Sequence, residues 1–257
     1  MKKPVSYRKE IPFFYNKSNL EFRRDQYERY DSKVVRHTAL HLADQLWERY
    51  PFQPAFDFTT KHLQIDAGQN IVELGCSVGR WIGTLAARYP QANFWGLDFS
   101  YQMLKRANAF WRQKEIIQLN LSNWGFSPIE IEGHALENIQ FGLAKAEELP
   151  FENETQDAVV SSFLLDRLGD PVRGLKEMYR VLQPHGKMIF VTPLNFYKRK
   201  DWETFHPPIK IFHLLKQIGF DVLDWEETLT VEEPLDCRGN VVKWNCVAGA
   251  CKKSAKT

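Results

Sequence analysis

Ile71-Val72-Glu73-Leu74-Gly75-Cys76-Ser77-Val78-Gly79-Arg80-Trp81 is the stretch that decides the fold. Its first four residues follow the chain-breaking Ala67-Gly68-Gln69-Asn70 and read as a short buried strand. From Trp81 to Tyr89 the apolar residues recur at helical spacing. Between strand and helix, Gly75 and Gly79 make a tight turn in which a ligand can approach bare backbone. The first N–H groups of the helix are unpaired and lie at the positive end of its dipole, so they suit the anionic part of a ligand.

The dinucleotide fingerprint asks for glycine at its first, third and sixth places. Counting from Gly75 puts Ser77 and Arg80 in the last two, which argues against NAD or FAD. A second strand, Ala92 to Leu97, ends in Asp98, where a carboxylate can accept hydrogen bonds from both hydroxyls of a ribose. Farther along, strands at 139–143, 158–163 and 187–191 alternate with helical segments, and two final strands follow at 220–223 and 241–248. That alternation specifies a parallel sheet covered by helices on both faces, with the ligand crevice at the carboxyl ends of the strands.

Glu73-Leu74-Gly75-Cys76-Ser77-Val78-Gly79, then Gly96-Leu97-Asp98-Phe99-Ser100 with Met103-Leu104, resembles the first two motifs of class I methyltransferases that use S-adenosylmethionine. Ser77 replaces that family's usual middle glycine. The segments Ala144 to Phe151, Asp157 to Pro171 and Glu177 to Gly186 look like the later motifs of its small-molecule branch, shared with ubiquinone-type and malonyl-carrier methyltransferases. Together the matches run from about Asn70 to Phe190. The resemblance implies an α/β, Rossmann-like fold: a seven-stranded, mostly parallel sheet with helices on both faces and an N-terminal helical cap. It also implies S-adenosyl-L-methionine as cofactor.

Carried over position by position, the resemblance implies that Glu73, Gly75 and Gly79 hold the methionine moiety, Asp98 the ribose and Met103 one face of the adenine. Ala146 offers backbone bonds to the adenine rim, and Phe99, Glu147 and Ser162 join as cofactor contacts. Tyr30, with Asp31, resembles the N-terminal pair that lies over the cofactor in relatives. Lys145 stands where relatives usually place an aspartate that accepts from the adenine amino group, and an ammonium has no acceptor. Either backbone or Glu147 takes that role, or adenine selectivity is looser.

The domain reading that follows is an N-terminal lid and cap helix over residues 1–64 and a methyltransferase domain over 65–257, a single globular unit with an insertion at about 115–137. Met1 to Asn19 looks irregular, with Lys2, Lys3, Arg8, Lys9 and Lys17 among Tyr7, Phe13, Phe14 and Tyr15. Asp31 reads as the N-cap of a helix reaching about Tyr50, with Val35, Ala39, Leu42 and Leu46 on one face. Ala55 to Gln64 reads as the connection to the motif strand. In the insertion, apolar alternation around Trp124-Gly125 suggests a small hairpin.

With 257 residues, 44% of them apolar and 14% aromatic, the chain can bury one substantial core. A net charge of +2 supports neither nucleic-acid binding nor membrane recruitment, and no apolar run reaches membrane-spanning length. Met1-Lys2-Lys3-Pro4 lacks the apolar core of a signal peptide, so the expected location is cytoplasmic, as a monomer or homodimer. Cys76, Cys237, Cys246 and Cys251 form no zinc pattern and read as reduced thiols, and no metal site is expected. His37 and His41 share a helix face at metal-compatible spacing but without a third partner, and read as a solvated face.

A sulfonium methyl is already activated, so such an enzyme must chiefly align the acceptor and exclude water. Loops at 163–167, 192–206 and 232–240 would wall the acceptor, with Asp166 and His206 as the acid–base candidates. A small or carrier-bound acceptor is the leading reading. An RNA methyltransferase using the basic, aromatic N-terminus, or a cofactor-binding interaction protein without turnover, are the others.

Overall fold

The computed structural model describes residues 1–254, and its first departure from the sequence reading lies at the N-terminus. Ser6–Arg8 (β1) and Ile11–Phe13 (β2) form a hairpin, closed by Lys9 and Glu10 in the left-handed region at φ 46° and 67°. All three residues of β2 are buried, and Phe13 pairs with Leu143 in the main sheet. The N–H of Phe14 donates to the Leu143 carbonyl at 2.8 Å. A stretch expected to be irregular thus covers one edge of the sheet, and burying Ile11 and Phe13 there offsets the ordering entropy.

Two short helices follow, Asn19–Arg24 (α1) and Gln26–Arg29 (α2), and neither contains a buried residue. The cap helix, Asp31–Leu42 (α3), stops eight residues before the expected Tyr50; Tyr30 is its N-cap, not Asp31, and makes no side-chain cap bond. Its buried residues are Val34, Thr38, Ala39, Leu40 and Leu42, so of the expected stripe Ala39 and Leu42 are buried and Val35 is half-buried. A second cap helix, Gln53–His62 (α4), replaces the expected connection. Pro54 occupies its first turn, where a missing N–H costs nothing.

The motif strand is Asn70–Leu74 (β3), followed by Arg80–Arg88 (α5), Asn93–Asp98 (β4) and Tyr101–Trp111 (α6). Ile116–Leu119 (β5) and Ile129–Glu132 (β6) pair only with each other, so the insertion is the expected small hairpin. Then come Ile139–Leu143 (β7), Gln156–Ser162 (β8), Pro171–Val181 (α7), Leu182–Thr192 (β9), Arg199–Phe205 (α8), Ile209–Ile218 (α9), Phe220–Pro234 (β10) and Val241–Lys253 (β11). The main sheet has nine strands in the order β1-β2-β7-β4-β3-β8-β9-β11-β10. The expected seven are all present, with the N-terminal hairpin added.

β7, β4, β3, β8 and β9 are parallel, while β11 runs antiparallel to both β9 and β10. Helices cover both faces over two apolar clusters, one under α3 to α6 and the other under α7 and α9. The order doubles back on either side of β3, so the carboxyl ends of β3, β4 and β8 meet at a switch point, which is where such sheets bind ligands. No helix among the described residues is long and apolar enough to cross a membrane.

Candidate functional site

β3 ends in a turn with three residues in the left-handed region: Gly75 (φ 70°), Ser77 (φ 51°) and Gly79 (φ 75°). The N–H groups of Gly75 and Cys76 donate to the Leu97 carbonyl at 2.8 and 3.1 Å, and that of Ser77 donates to Asp98 Oδ2 at 2.9 Å. The turn is therefore welded to the end of β4. Ser77, standing where the motif has glycine, adopts the glycine conformation at a cost of about 1–2 kcal/mol. Its Oγ lies 3.7 Å from Met103 Sδ, which brings Met103, itself buried in the core, against the turn.

Glu73 is fully buried on β3, and its Oε2 accepts the Ile82 N–H at 3.0 Å, capping the first turn of α5. Burial pushes its carboxyl up, the Ile82 N–H opposes, and Asp98 adds to the rise, leaving it at about 8. Asp98 accepts from Ser77 through one oxygen and from the Ser100 N–H at 2.7 Å through the other. Burial raises its pKa against those two bonds. Each oxygen keeps a spare acceptor position, the provision a pair of ribose hydroxyls would use.

Several residues singled out from sequence are placed elsewhere. The Tyr30 ring is 46% exposed, with the Arg29 guanidinium beside it, and does not lie over the turn. Tyr27 takes the inward place: it is partly buried, its hydroxyl is 2.8 Å from His37 Nε2, and burial, with the Asp98 carboxylate next, pushes its phenol to about 12. Glu147 accepts from the Gly169 and Asp170 N–H groups at 2.8 and 3.3 Å through Oε1, so it braces the start of α7. Ala146 keeps its place beside Lys145 and is buried, and Ser162 ends β8 opposite Val191.

Lys145 pairs with Glu21 of α1. Its ammonium also lies 4.0 Å from the Tyr15 ring centroid and 5.9 Å from that of Phe99. Burial works against this ammonium, but the bonds to Glu21 and Tyr15 outweigh it and its pKa rises. Glu21 is held from the other side by Tyr15 Oη at 2.6 Å and by the Ser18 N–H and hydroxyl, both at 2.9 Å. Desolvation opposes its charge, yet those donors with Lys145 bring it down to about 2. Nothing in the local sequence around Lys145 signals this partner.

The acid–base candidates do not meet. Asp166 is buried after β8; Thr192 donates to its Oδ1 at 3.4 Å, and Arg167 Nε stands 3.7 Å from Oδ2, which has no hydrogen-bond partner. Its pKa is raised by burial, and it braces the turn that follows β9. His206 stacks on Trp202 at 3.6 Å in the loop between α8 and α9.

Sequence reasoning also missed a buried polar chain. His37 and His41, expected on a solvated face, are enclosed: His41 Nδ1 is 2.8 Å from Tyr50 Oη, which accepts from Trp81 Nε1 at 3.1 Å. Burial lowers His37 to about 4 and holds His41 well below its usual value, so both are neutral. His37 Nδ1 has no partner. An aromatic ladder continues from His41 through Phe52 (5.0 Å) to Phe163 (5.2 Å) and Trp244 (6.1 Å). Phe163, at φ 51°, carries its strain beside the carboxyl end of β8. The signal for this wall was the run of aromatics between Tyr50 and Phe58. Among the described residues no group of three or more His, Cys, Asp or Glu side chains is placed to hold a metal ion.

Residues 72–190 match the family described as a methyltransferase domain. Among curated proteins, the chain is 31% identical over 134 residues to the demethylmenaquinone methyltransferase of Oceanobacillus iheyensis, covering 52% of this chain and 48% of that one. It is 32% identical over 171 residues to the enzyme of the same description from Lactobacillus johnsonii, covering 65% and 61%. The chain thus spans about half to three fifths of the length of these relatives. Among solved structures it superposes on the methyltransferase held in complex with the Haloferax volcanii Trm112 methyltransferase activator, with TM-score 0.58, 14% identity and coverage of 91% and 98%. On a SAM-dependent methyltransferase from Aquifex aeolicus the TM-score is 0.52, at 16% identity and coverage of 88% and 100%. These likenesses carry the fold.

Proposed function

We infer, from a chain that carries a class I S-adenosylmethionine-dependent methyltransferase domain, that the protein moves the cofactor's methyl group directly onto a small or carrier-bound acceptor. The observation that carries this reading is the buried Asp98 carboxylate, fastened to the Gly75–Gly79 turn and left with acceptor capacity to spare. The residues present fit the cofactor. Gly75, Gly79 and Glu73 would hold its methionine end, Asp98 its ribose, and Phe99, Met103 and Ala146 its adenine. When bound it supplies an electrophilic methyl, so this chain needs no covalent nucleophile.

The acceptor side is the ladder of Phe52, Phe163 and Trp244, which suits a flat ring and excludes water. The curated relatives are named for demethylmenaquinone, so a quinone-type ring is the first acceptor to test. Where such an acceptor must lose a proton, Asp166, with its raised pKa and unpartnered Oδ2, is the candidate base, because burial leaves His37 a weak one at about 4. Apart from the segment 15–29, residues 1–64 cap this site. The RNA reading draws no support from the N-terminal residues, because Phe13 is in the sheet and Lys17 is held by Asp25 and Glu28.

Calorimetry with S-adenosylhomocysteine tests the cofactor half: Asp98→Ala should weaken binding at least about tenfold, since hydrogen bonds to a charged group are worth about 1.5–3 kcal/mol each. Unchanged affinity in a folded variant removes Asp98 from the site. A radiolabelled methyl screen over quinol, metabolite and RNA pools then tests the acceptor, with RNA as the outcome that overturns the small-molecule reading.

A further inference from the structure

The segment 15–29, which joins the N-terminal hairpin to the cap helices, lies across the adenosine half of the site. Lys17 Nζ stands 4.3 Å from the centroid of Phe99 and bonds Asp25 at 2.6 Å and Glu28 at 3.1 Å. Glu28 in turn accepts the Tyr101 N–H at 2.6 Å, at the start of α6 just beyond Asp98-Phe99-Ser100. The charges of Asp25 and Lys17 both act on Asp98. Glu21 reaches Lys145, whose ammonium lies 5.9 Å from the Phe99 centroid. The strap therefore touches Phe99, the Asp98 neighbourhood and Lys145, the positions that the motifs assign to ribose and adenine.

Charge holds most of the strap there. α1 and α2 contain no fully buried residue, and the apolar anchors of the strap are the partly buried rings of Tyr15 and Tyr27. Lys17, Asp25 and Glu28 have side chains only 9%, 7% and 5% exposed. Taking three charges out of water nearly cancels their mutual attraction, so such a cluster fixes geometry while adding little net stability. An element with few apolar contacts and break-even ion pairs is one that opens at low cost.

We propose that this strap is a built-in competitor of the cofactor: its Lys17–Asp25–Glu28 cluster occupies the nucleoside half-site, and the Glu21–Lys145 pair latches it shut. The proposal rests on the cofactor reading above. It also accounts for a lysine at position 145. A residue that accepted from adenine would serve only the bound cofactor, whereas an ammonium holds the carboxylate of the strap and sets how often the site is open. An apparent dissociation constant equals the intrinsic one divided by the open fraction, so weakening the latch must tighten binding.

The test measures S-adenosylhomocysteine binding by calorimetry and stopped flow for the intact chain, Glu21→Gln and Glu28→Gln. Both strap variants should bind about three- to tenfold tighter, with the gain in the association rate. Limited trypsin digestion gives an independent readout: the ligand should speed cleavage after Arg23, Arg24 and Arg29, because it expels the strap. Unchanged or weaker binding in both variants, or protection of those bonds by the ligand, overturns the proposal. Asp98→Ala separates the two levels of inference. If the intact chain does not bind the ligand, or binds it without Asp98, the cofactor reading has failed; if it binds through Asp98 while the strap variants gain nothing, only the competitor has failed.

Discussion

Glu73→Gln should change how stability depends on pH, and the structure sets the size of the change. The carboxyl is raised by burial to about 8 from an unfolded value of 4.5. Between those values the folded protein keeps a proton that the unfolded chain has released. A raised acid of this kind is without cost below about pH 4.5 and subtracts stability as pH climbs toward 8, by about 1.4 kcal/mol per pH unit. From pH 5.5 to 7.5 the loss is about 2.5 kcal/mol, slightly less than two full units because the curve bends at both ends. Glutamine has nearly the same volume and its amide oxygen still accepts the Ile82 N–H, so the variant should lack this slope. Urea unfolding of both proteins at pH 5.5, 6.5 and 7.5 measures it, with equal m-values confirming that only stability has moved. The difference between variant and wild type should swing toward the variant by about 2.5 kcal/mol, or roughly 5–10 °C in Tm for a chain of this length. Asp98 couples to Glu73, so the slope belongs to the pair. A difference that stays constant across the three pH values, or swings the other way, refutes the claim that Glu73 is protonated in the folded protein.

His37→Phe should flatten the acid side of the same curve. His37 is lowered to about 4 by burial, so its contribution is complete above pH 6.5 and is lost as pH falls toward 4, which parallel urea titrations of variant and wild type will show. Gly79→Ala should destabilise by about 1–2 kcal/mol from its φ of 75° alone, and by more because the new methyl would sit 2.8 Å from Phe141 Cε1; thermal melts test it, and a loss under about 1 kcal/mol would contradict the turn geometry. Ile11→Ala should cost about 2–5 kcal/mol, the usual range for a buried isoleucine, where a dispensable N-terminal tail would show no loss.

The strand, glycine turn and Asp98 were legible because each rests on local chemistry: a short apolar run, positive φ, and a carboxylate at a strand end. The hairpin was not, because three-residue strands are too short to show a period and Pro12 sits inside one of them. The burial of His37 and His41 depends on Tyr27, Tyr50 and Phe52, which arrive from neighbouring segments, so a helical wheel of α3 alone gives a solvated face. α4 did carry a signal, since Pro54 is tolerated in a first turn and α4 could have been read from it. The Lys145–Glu21 pair was beyond reach because its two members lie far apart in the sequence. Asp166 and His206 were nominated by their place in loops, and loop position does not tell which way a side chain turns.

The N-terminal hairpin has a further consequence. Residue 14 is tied to β7 and residue 31 opens α3, so the strap between them is a loop with both ends moored. A tethered competitor acts at an effective concentration, on the order of millimolar for a short flexible link, that neither dilution nor dialysis can lower. Its return is unimolecular. The exchange rate of the nucleoside should then level off as its concentration rises, at the opening rate of the loop. Cutting the chain between hairpin and strap would free one mooring only, and a second cut before α3 would be needed to turn that internal competitor into a dilute one.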